Sequence, residues 1–349
     1  MVKCGIIGCG VIAPTHIEGY QQQDNACVVH LCDLIPERVN ALGDKYGVAK
    51  RSLNYHDLLA DPEVELVSVC TDHASHAEIV RDVLNAGKHV VCEKSAARVI
   101  EDVPVMLNAA KAHPELVASG IFQHRFETHN LVLKDMLNSG KFGKLLAANL
   151  NFCCRRTAEY YTKDVWRGTQ AGEGGGILIN QAIHHLDQLR FLFGDIEAVT
   201  AKVANLTHQG VIEVEDTAFF LLEFVSGLNA VVMATNSSVR GWNSRLMVEG
   251  EKASLFYENE KCTSVVAESD ELAKEIEDAL ADEREKATVS GKSYYGSGHT
   301  GQLADIVNAV AEKRAPFVTL EEACKSSLMV LAVYESAKLG RRVKLADLL

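Results

Sequence analysis

The sequence predicts an α/β chain, with a doubly wound parallel sheet followed by an α+β domain whose open sheet is mainly antiparallel. Three observations predict it. Through roughly the first 120 residues short apolar runs alternate with helical patterns; from about residue 123 consecutive β-rich runs take over; and 349 residues suit about two domains.

Val2–Ile7 reads as the first strand, and Cys27–Cys32, Val64–Cys70, His89–Cys92 and Leu116–Ser119 repeat its pattern. Between them Pro14–Gln22, Pro36–Tyr46, His56–Leu59, His76–Ala86 and Val99–Ala112 read as helices. Such alternation needs right-handed crossovers, and therefore a mostly parallel sheet covered on both faces. Next come a helix, Asn130–Ser139, and strands Leu145–Cys153, Ala198–Asn205, Asp216–Phe224, Asn229–Ser237 and Arg245–Glu249, with one helix, Ile177–Phe193, among them. Turn pairs such as Ser226-Gly227 and Glu249-Gly250 imply antiparallel pairing. Gly301–Lys313 and Leu320–Lys338 are helical again and free to pack back on the first domain. The expected domains are residues 1–122 and 123–349, with a ligand cleft where they meet.

Thirty-five basic against 47 acidic side chains leave a net charge of −12, which argues against a nucleic-acid or anionic-membrane partner. Half of that excess lies in residues 268–287, where nine acids face three bases; Leu272, Ile276, Ala279 and Leu280 recur there at helical spacing, as on a surface helix. Ten cysteines show no C-x-x-C spacing, and Cys4, Cys32, Cys70 and Cys92 fall inside apolar strand runs, as core thiols in a reducing compartment would. There is no run of 18 apolar residues and no basic leader at Met1, so a cytoplasmic location is expected.

Gly8-Cys9-Gly10-Val11-Ile12-Ala13 directly follows the first strand and opens a helix. The G-x-G-x-x-A pattern lets backbone approach a pyrophosphate and offers it the helix N-terminus. Asp33, at the end of the second strand and 20 residues after Ala13, suits a pair of ribose hydroxyls and would repel a 2′-phosphate. Leu34 brings no compensating positive charge, so NAD is expected over NADP.

These residues, with Thr71-Asp72-His73-Ala74-Ser75-His76, Ala86-Gly87-Lys88-His89-Val90-Val91-Cys92-Glu93-Lys94, Gly174-Gly175-Gly176-Ile177-Leu178-Ile179-Asn180-Gln181-Ala182-Ile183-His184-His185-Leu186-Asp187 and Tyr334–Arg341, resemble the Gfo/Idh/MocA oxidoreductases in order across essentially the whole chain. The resemblance implies an N-terminal Rossmann domain and a C-terminal domain whose open sheet meets substrate and often another subunit, in a homodimer or homotetramer. It implies oxidation or reduction of a hydroxyl or carbonyl on a sugar, sugar derivative, inositol or related polyol. Lys94 would be the catalytic lysine and His184 the proton-transfer histidine. Gly8, Gly10, Val11, Ile12, Asp33, Thr71, His73, His76, Glu93 and Lys94 would line the cofactor. Two positions depart from the family: Ser95 replaces a proline that is commonly cis, so a trans bond is expected, and Asn180 replaces an aspartate and cannot take up a proton at neutral pH.

The residues themselves support the same roles. Asn180, His184 and Asp187, at i, i+4 and i+7, are expected on one helix face. His184, with an ordinary pKa of about 6.5, suits a general base, and Lys94 at a strand's carboxyl end suits stabilisation of alkoxide charge. Asp187 has two functional readings, orienting a ring nitrogen of His184 or binding substrate, with helix packing as the plain alternative. Trp166 and Arg167 could present a stacking face and a guanidinium to a sugar; Arg125 and His299 are weaker candidates. His184 and its neighbour His185 diverge by about 100° on a helix and cannot easily share an ion, so no metal site is expected. A nicotinamide-binding regulator that has lost its chemistry is the alternative function.

Overall fold

The computed structural model describes residues 1–281 and 298–349. It divides into two compact units, Met1–Gln123 with residues 298–327, and residues 124–281 with Leu328–Leu349.

In the first unit, strands β1 (Val2–Ile7), β2 (Ala26–Cys32), β3 (Lys50–Ser52), β4 (Leu66–Val69), β5 (His89–Cys92) and β6 (Ala118–Gly120) form one sheet in the order β3-β2-β1-β4-β5-β6. Every pairing in it is parallel. Chain order reverses beside β1, where open α/β sheets form a ligand crevice at the strands' carboxyl ends. Helices α1 (Ala13–Gln21), α2 (Pro36–Tyr46), α3 (Tyr55–Leu59), α4 (His76–Asn85) and α5 (Asp102–Ala112) supply the crossovers. All four residues of β4 are buried, as expected of a strand covered on both faces. Ile6, Ile17, Tyr20, Leu31, Leu66 and Val91 form the core, and Leu303, Ile306 and Val307 of α10 (Gly298–Glu312) join it. Cys4, Cys32, Cys70 and Cys92 are buried free thiols, pushed up in pKa by burial.

In the second unit eight strands form a sheet in the order β13-β12-β11-β7-β10-β9-β8-β14, antiparallel except for β7 with β10. They are β7 (Leu145–Cys153), β8 (Ile196–Ala204), β9 (Thr217–Phe224), β10 (Asn229–Thr235), β11 (Asn243–Gly250), β12 (Ala253–Glu258), β13 (Lys261–Ala267) and β14 (Val343–Lys344). Burial alternates along β7, β9 and β10, so one face is covered and the other open. Helices α6 (Thr128–Asn138), α7 (Ala158–Thr162), α8 (Ile183–Phe193) and α9 (Asp270–Ala281) belong to this unit, and α11 (Leu320–Leu339) is shared between the two.

Five elements were not expected: β3, α7, β12, β13 and β14. The acidic helix is present as α9, with Ile276 and Leu280 buried; the remainder of the acidic stretch, residues 282–287, lies outside the described residues. The single helix expected over Ile177–Phe193 is instead a wide π-type turn, Leu178–Ala182, running into α8. The Lys94–Ser95 bond is cis, not trans as expected. Ser95 is held on both sides: its hydroxyl donates to the Ala97 carbonyl at 2.8 Å and bonds Ser327 Oγ at 2.9 Å, and its carbonyl lies 2.8 Å from His76 Nδ1.

Candidate active site

The glycine turn sits at the carboxyl end of β1. Gly8 adopts φ +93, and a Cβ there would meet the Cys70 carbonyl oxygen at 2.6 Å, so only glycine lets the turn lie against the end of β4. Gly10 is different: a Cβ would meet nothing within 4 Å, and the space over it is open. No side chain caps α1, Pro14 occupies its first turn, and Val11 is exposed. Asp33, half-buried at the end of β2, accepts the Cys9 N–H at 2.7 Å through Oδ2 and the Ile35 N–H at 2.8 Å through Oδ1. One carboxylate thus shapes the glycine turn and keeps lone pairs on both oxygens for further donors. Open backbone at Gly10, an uncapped helix start and a carboxylate at the next strand's end together fit a dinucleotide with an unphosphorylated ribose.

Thr71 lies two residues past the end of β4, and half-buried Lys94 two residues past the end of β5. Lys94 N–H donates to the Glu93 carboxylate at 3.1 Å. Glu93 is itself buried, with Oε1 3.0 Å from His16 Nε2 and 3.9 Å from His299 Nε2. Burial pushes Glu93 up, but the hydrogen bonds and charges of His16 and His299 more than offset it and hold the group well below the usual carboxylate range. His16 continues through Ser68 Oγ (3.1 Å) to the Tyr20 hydroxyl (2.7 Å from Ser68). His16 and His299 therefore belong to a buried relay ending at the backbone of Lys94. His73 is buried, and His76 is buried between two backbone carbonyls, Ser95 at 2.8 Å and Thr71 at 3.2 Å. Burial lowers the His76 pKa against the opposing pull of the two carbonyls, and the ring bridges the segments that follow β4 and β5.

In the second unit the π-type turn holds Asn180, while His184 and Asp187 both lie in the regular helix α8. Asn180 Nδ2 donates to Glu173 and lies 3.4 Å from the Tyr160 hydroxyl. His184, nearly buried, lies against the His124 ring at a 5.2 Å centroid distance and 17°. Asp187 is fully buried and takes a bidentate bond from Arg125, at 2.8 Å from Nε and 2.7 Å from Nη2. The wider turn changes where Asn180 faces relative to α8 and leaves the i, i+3 relation of His184 and Asp187 unchanged. Asp187 and Arg125 form a buried ion pair that ties α8 to the turn before α6. His185 packs on Phe152, ring centroids 4.6 Å apart, and burial lowers its pKa to about 4, leaving it a neutral core group.

Arg167 is sandwiched, its guanidinium 4.5 Å from the Tyr160 ring centroid and 4.8 Å from that of Trp166, with Asp164 at 2.9 Å. It also donates to the Tyr160 hydroxyl, which Gln181 Nε2 approaches at 3.3 Å. Tyr160, Arg167, Glu173, Asn180 and Gln181 thus make one polar network beside the glycine run.

The glycines of that run serve the chain itself rather than leaving space for a ligand. A Cβ on Gly176 would lie 1.8 Å from the Glu215 carbonyl oxygen, and one on Gly175 2.1 Å from the Tyr334 hydroxyl. The Glu215 carboxylate accepts the N–H groups of Gly176 (2.9 Å) and Leu178 (3.0 Å) and the Tyr334 hydroxyl (3.0 Å), so it caps the start of the π-type turn. Burial raises its pKa to about 7 against these bonds. Glu215, Glu173, Tyr160 and the His16–Glu93 relay were not anticipated. A buried acid at a strand start was the only local hint of Glu215, whose partners are distant in sequence.

Residues 2–121 match the family profile "Oxidoreductase family, NAD-binding Rossmann fold", and residues 134–345 match "Oxidoreductase family, C-terminal alpha/beta domain". A myo-inositol 2-dehydrogenase of Thermotoga maritima is 27% identical over 351 residues, covering 100% of both chains. A levoglucosan dehydrogenase of Pseudarthrobacter phenanthrenivorans is 25% identical over 330 residues, 85% of this chain and 82% of the relative. Among solved structures, the WlbA dehydrogenase from Bordetella pertussis, in complex with NADH and UDP-GlcNAcA, is 27% identical and aligns with a TM-score of 0.88 over 98% of this chain and 97% of that one.

Proposed function

Because the chain belongs to the Gfo/Idh/MocA oxidoreductase family, we propose that it is an NAD-dependent dehydrogenase acting on a CH–OH carbon of a polyol or sugar, with an inositol as the first candidate substrate. The observation that carries this reading is the Asp33 carboxylate bonded to the Cys9 N–H beside an open Gly10, at the start of an uncapped helix. That arrangement suits a pyrophosphate and a ribose, and the acid disfavours a 2′-phosphate.

NAD, when bound, supplies a hydride acceptor at its nicotinamide ring. Gly8, Gly10, Val11 and Ile12 would hold its phosphates and Asp33 its ribose, with Thr71, His73, Glu93 and Lys94 beside it. Lys94 binds the reacting oxygen, and its ammonium stabilises negative charge developing there. His184 takes the alcohol proton in the oxidising direction and returns it in the reverse. Asn180 contributes amide hydrogen bonds to a substrate hydroxyl without moving a proton, and Trp166 with Arg167 offers a flat cationic wall. Glu93 acts through the Lys94 backbone, and Asp187 anchors α8 through Arg125.

Absorbance at 340 nm tests this, with NAD and NADP run separately against inositols, pyranoses, glycosides and uronic acids. Turnover with NAD on one polyol or sugar class is the expected result. Silence across the panel with NADH binding intact would contradict it and favour the regulator.

A further inference from the structure

We propose that the second unit carries a binding site for a zinc-class divalent cation, built from His124, Glu127 and Glu260, which the hydride-transfer reading does not use. His124 lies in the turn preceding α6 and Glu127 immediately before that helix; Glu260 comes from the tip of the β12–β13 hairpin, far along the chain. A ring nitrogen of His124 and one carboxylate oxygen each from Glu127 and Glu260 lie within 4.8 Å of one another. His129 Nε2 faces the same point, 3.4 Å from Glu127 Oε2 and 3.9 Å from Glu260 Oε2.

An independent observation points to a ligand. Glu127 is only 2% exposed, and although Asn130 Nδ2 donates to its Oε2 at 3.2 Å, its Oε1 has no hydrogen-bond partner among the described residues. A buried carboxylate oxygen with no donor is costly, and protonation, pairing or coordination of a metal relieves it. Among the described residues no lysine or arginine pairs with Glu127 or Glu260.

The donor set selects the ion. Two carboxylates cancel a dication's charge, and one or two imidazoles favour zinc and its neighbours over magnesium or calcium, which prefer oxygen. Tetrahedral zinc, with bonds of about 2.0–2.2 Å, holds its ligand atoms about 3.3 Å apart, so the donors must draw in. Glu260 can provide that movement, its side chain being 36% exposed at the hairpin tip. The bound cation would clamp the hairpin to the start of α6 and hold the His124 ring beside His184.

The test uses the full chain, stripped with a chelator and dialysed, then titrated with Zn²⁺ against a chromogenic competitor, with thermal unfolding followed in parallel. Mg²⁺ serves as the comparison ion, and Glu260→Gln and Glu127→Gln as the variants. We expect one saturable zinc equivalent per chain, a rise in Tm with Zn²⁺ but not Mg²⁺, and at least tenfold weaker binding in both variants. Glu260→Gln, at a partly exposed tip, keeps the fold and so keeps the test informative. No saturable equivalent would overturn the site. So would an equivalent that Glu260→Gln binds as tightly as the wild type, since that zinc would sit elsewhere, for instance on cysteines.

Discussion

Asp187 and Arg125 are both buried and bonded to each other twice. Breaking a buried pair from one side leaves an uncompensated charge and costs about 3–5 kcal/mol. Asp187→Ala should therefore lose about that much unfolding free energy in urea titration; an unchanged midpoint would put the carboxylate in some other role. Glu215 makes a pH prediction. Its pKa rises from the usual 4.5 to about 7 in the fold, so the folded state binds the proton more tightly than the unfolded chain. Stability from that proton is complete below pH 4.5 and is lost as pH rises through 7, an effect of about 3 kcal/mol. Urea unfolding across that window should show the wild type losing about that much more stability than Glu215→Gln; parallel curves would refute the shift. Gly8, Gly10 and Asp33 were legible because their chemistry depends on short spacings after a strand. The partners of Asp187 and Glu215 were not, because only the tertiary fold brings Arg125 and Gly176 to them.

At the scale of elements the two kinds of glycine separate structure from ligand. Gly176→Ala would force a methyl group into the Glu215 carbonyl, and such overpacking costs about 1–3 kcal/mol or more. Gly10→Ala meets nothing in the fold, so it should unfold like the wild type while binding NADH at least about tenfold more weakly, since a methyl group would stand where the pyrophosphate approaches. Thermal unfolding and NADH fluorescence titration on both variants check the contrast, and equal NADH affinity in Gly10→Ala would remove the cofactor from that turn. Five of the six parallel strands were readable as apolar runs, and β3, Lys50–Ser52, was not because it is polar. β12 and β13 were missed because Asn259 and Glu260 turn the chain with positive φ but without the glycine that usually marks a hairpin. The π-type turn was invisible because its residues keep a helical hydrophobic pattern while the backbone takes an extra residue.

For the whole molecule, the open face of the second sheet sets one expectation. Phe219 is 53% and Val231 52% exposed on the neighbouring strands β9 and β10, an apolar surface of the kind that marks association sites. Light scattering after gel filtration should find a homodimer or homotetramer that Val231→Asp shifts toward monomer; a monomeric wild type would contradict it. No helix among the described residues is long and apolar enough to cross a membrane. The order of strands and helices, the cofactor turn and the family motifs were all written locally, so fold class and reaction class could be read from sequence. The polar network from Tyr160 to Gln181 was not legible, because its side chains meet only after folding. The most direct test of hydride transfer is the rate of NAD reduction by the wild type, Lys94→Ala and His184→Ala on the substrate found, with NADH binding measured alongside. Loss of about 10²–10⁴-fold in rate in each variant, with NADH affinity retained, is the predicted result. Full turnover in either variant would contradict the role given to that residue, and full turnover in both would contradict the mechanism.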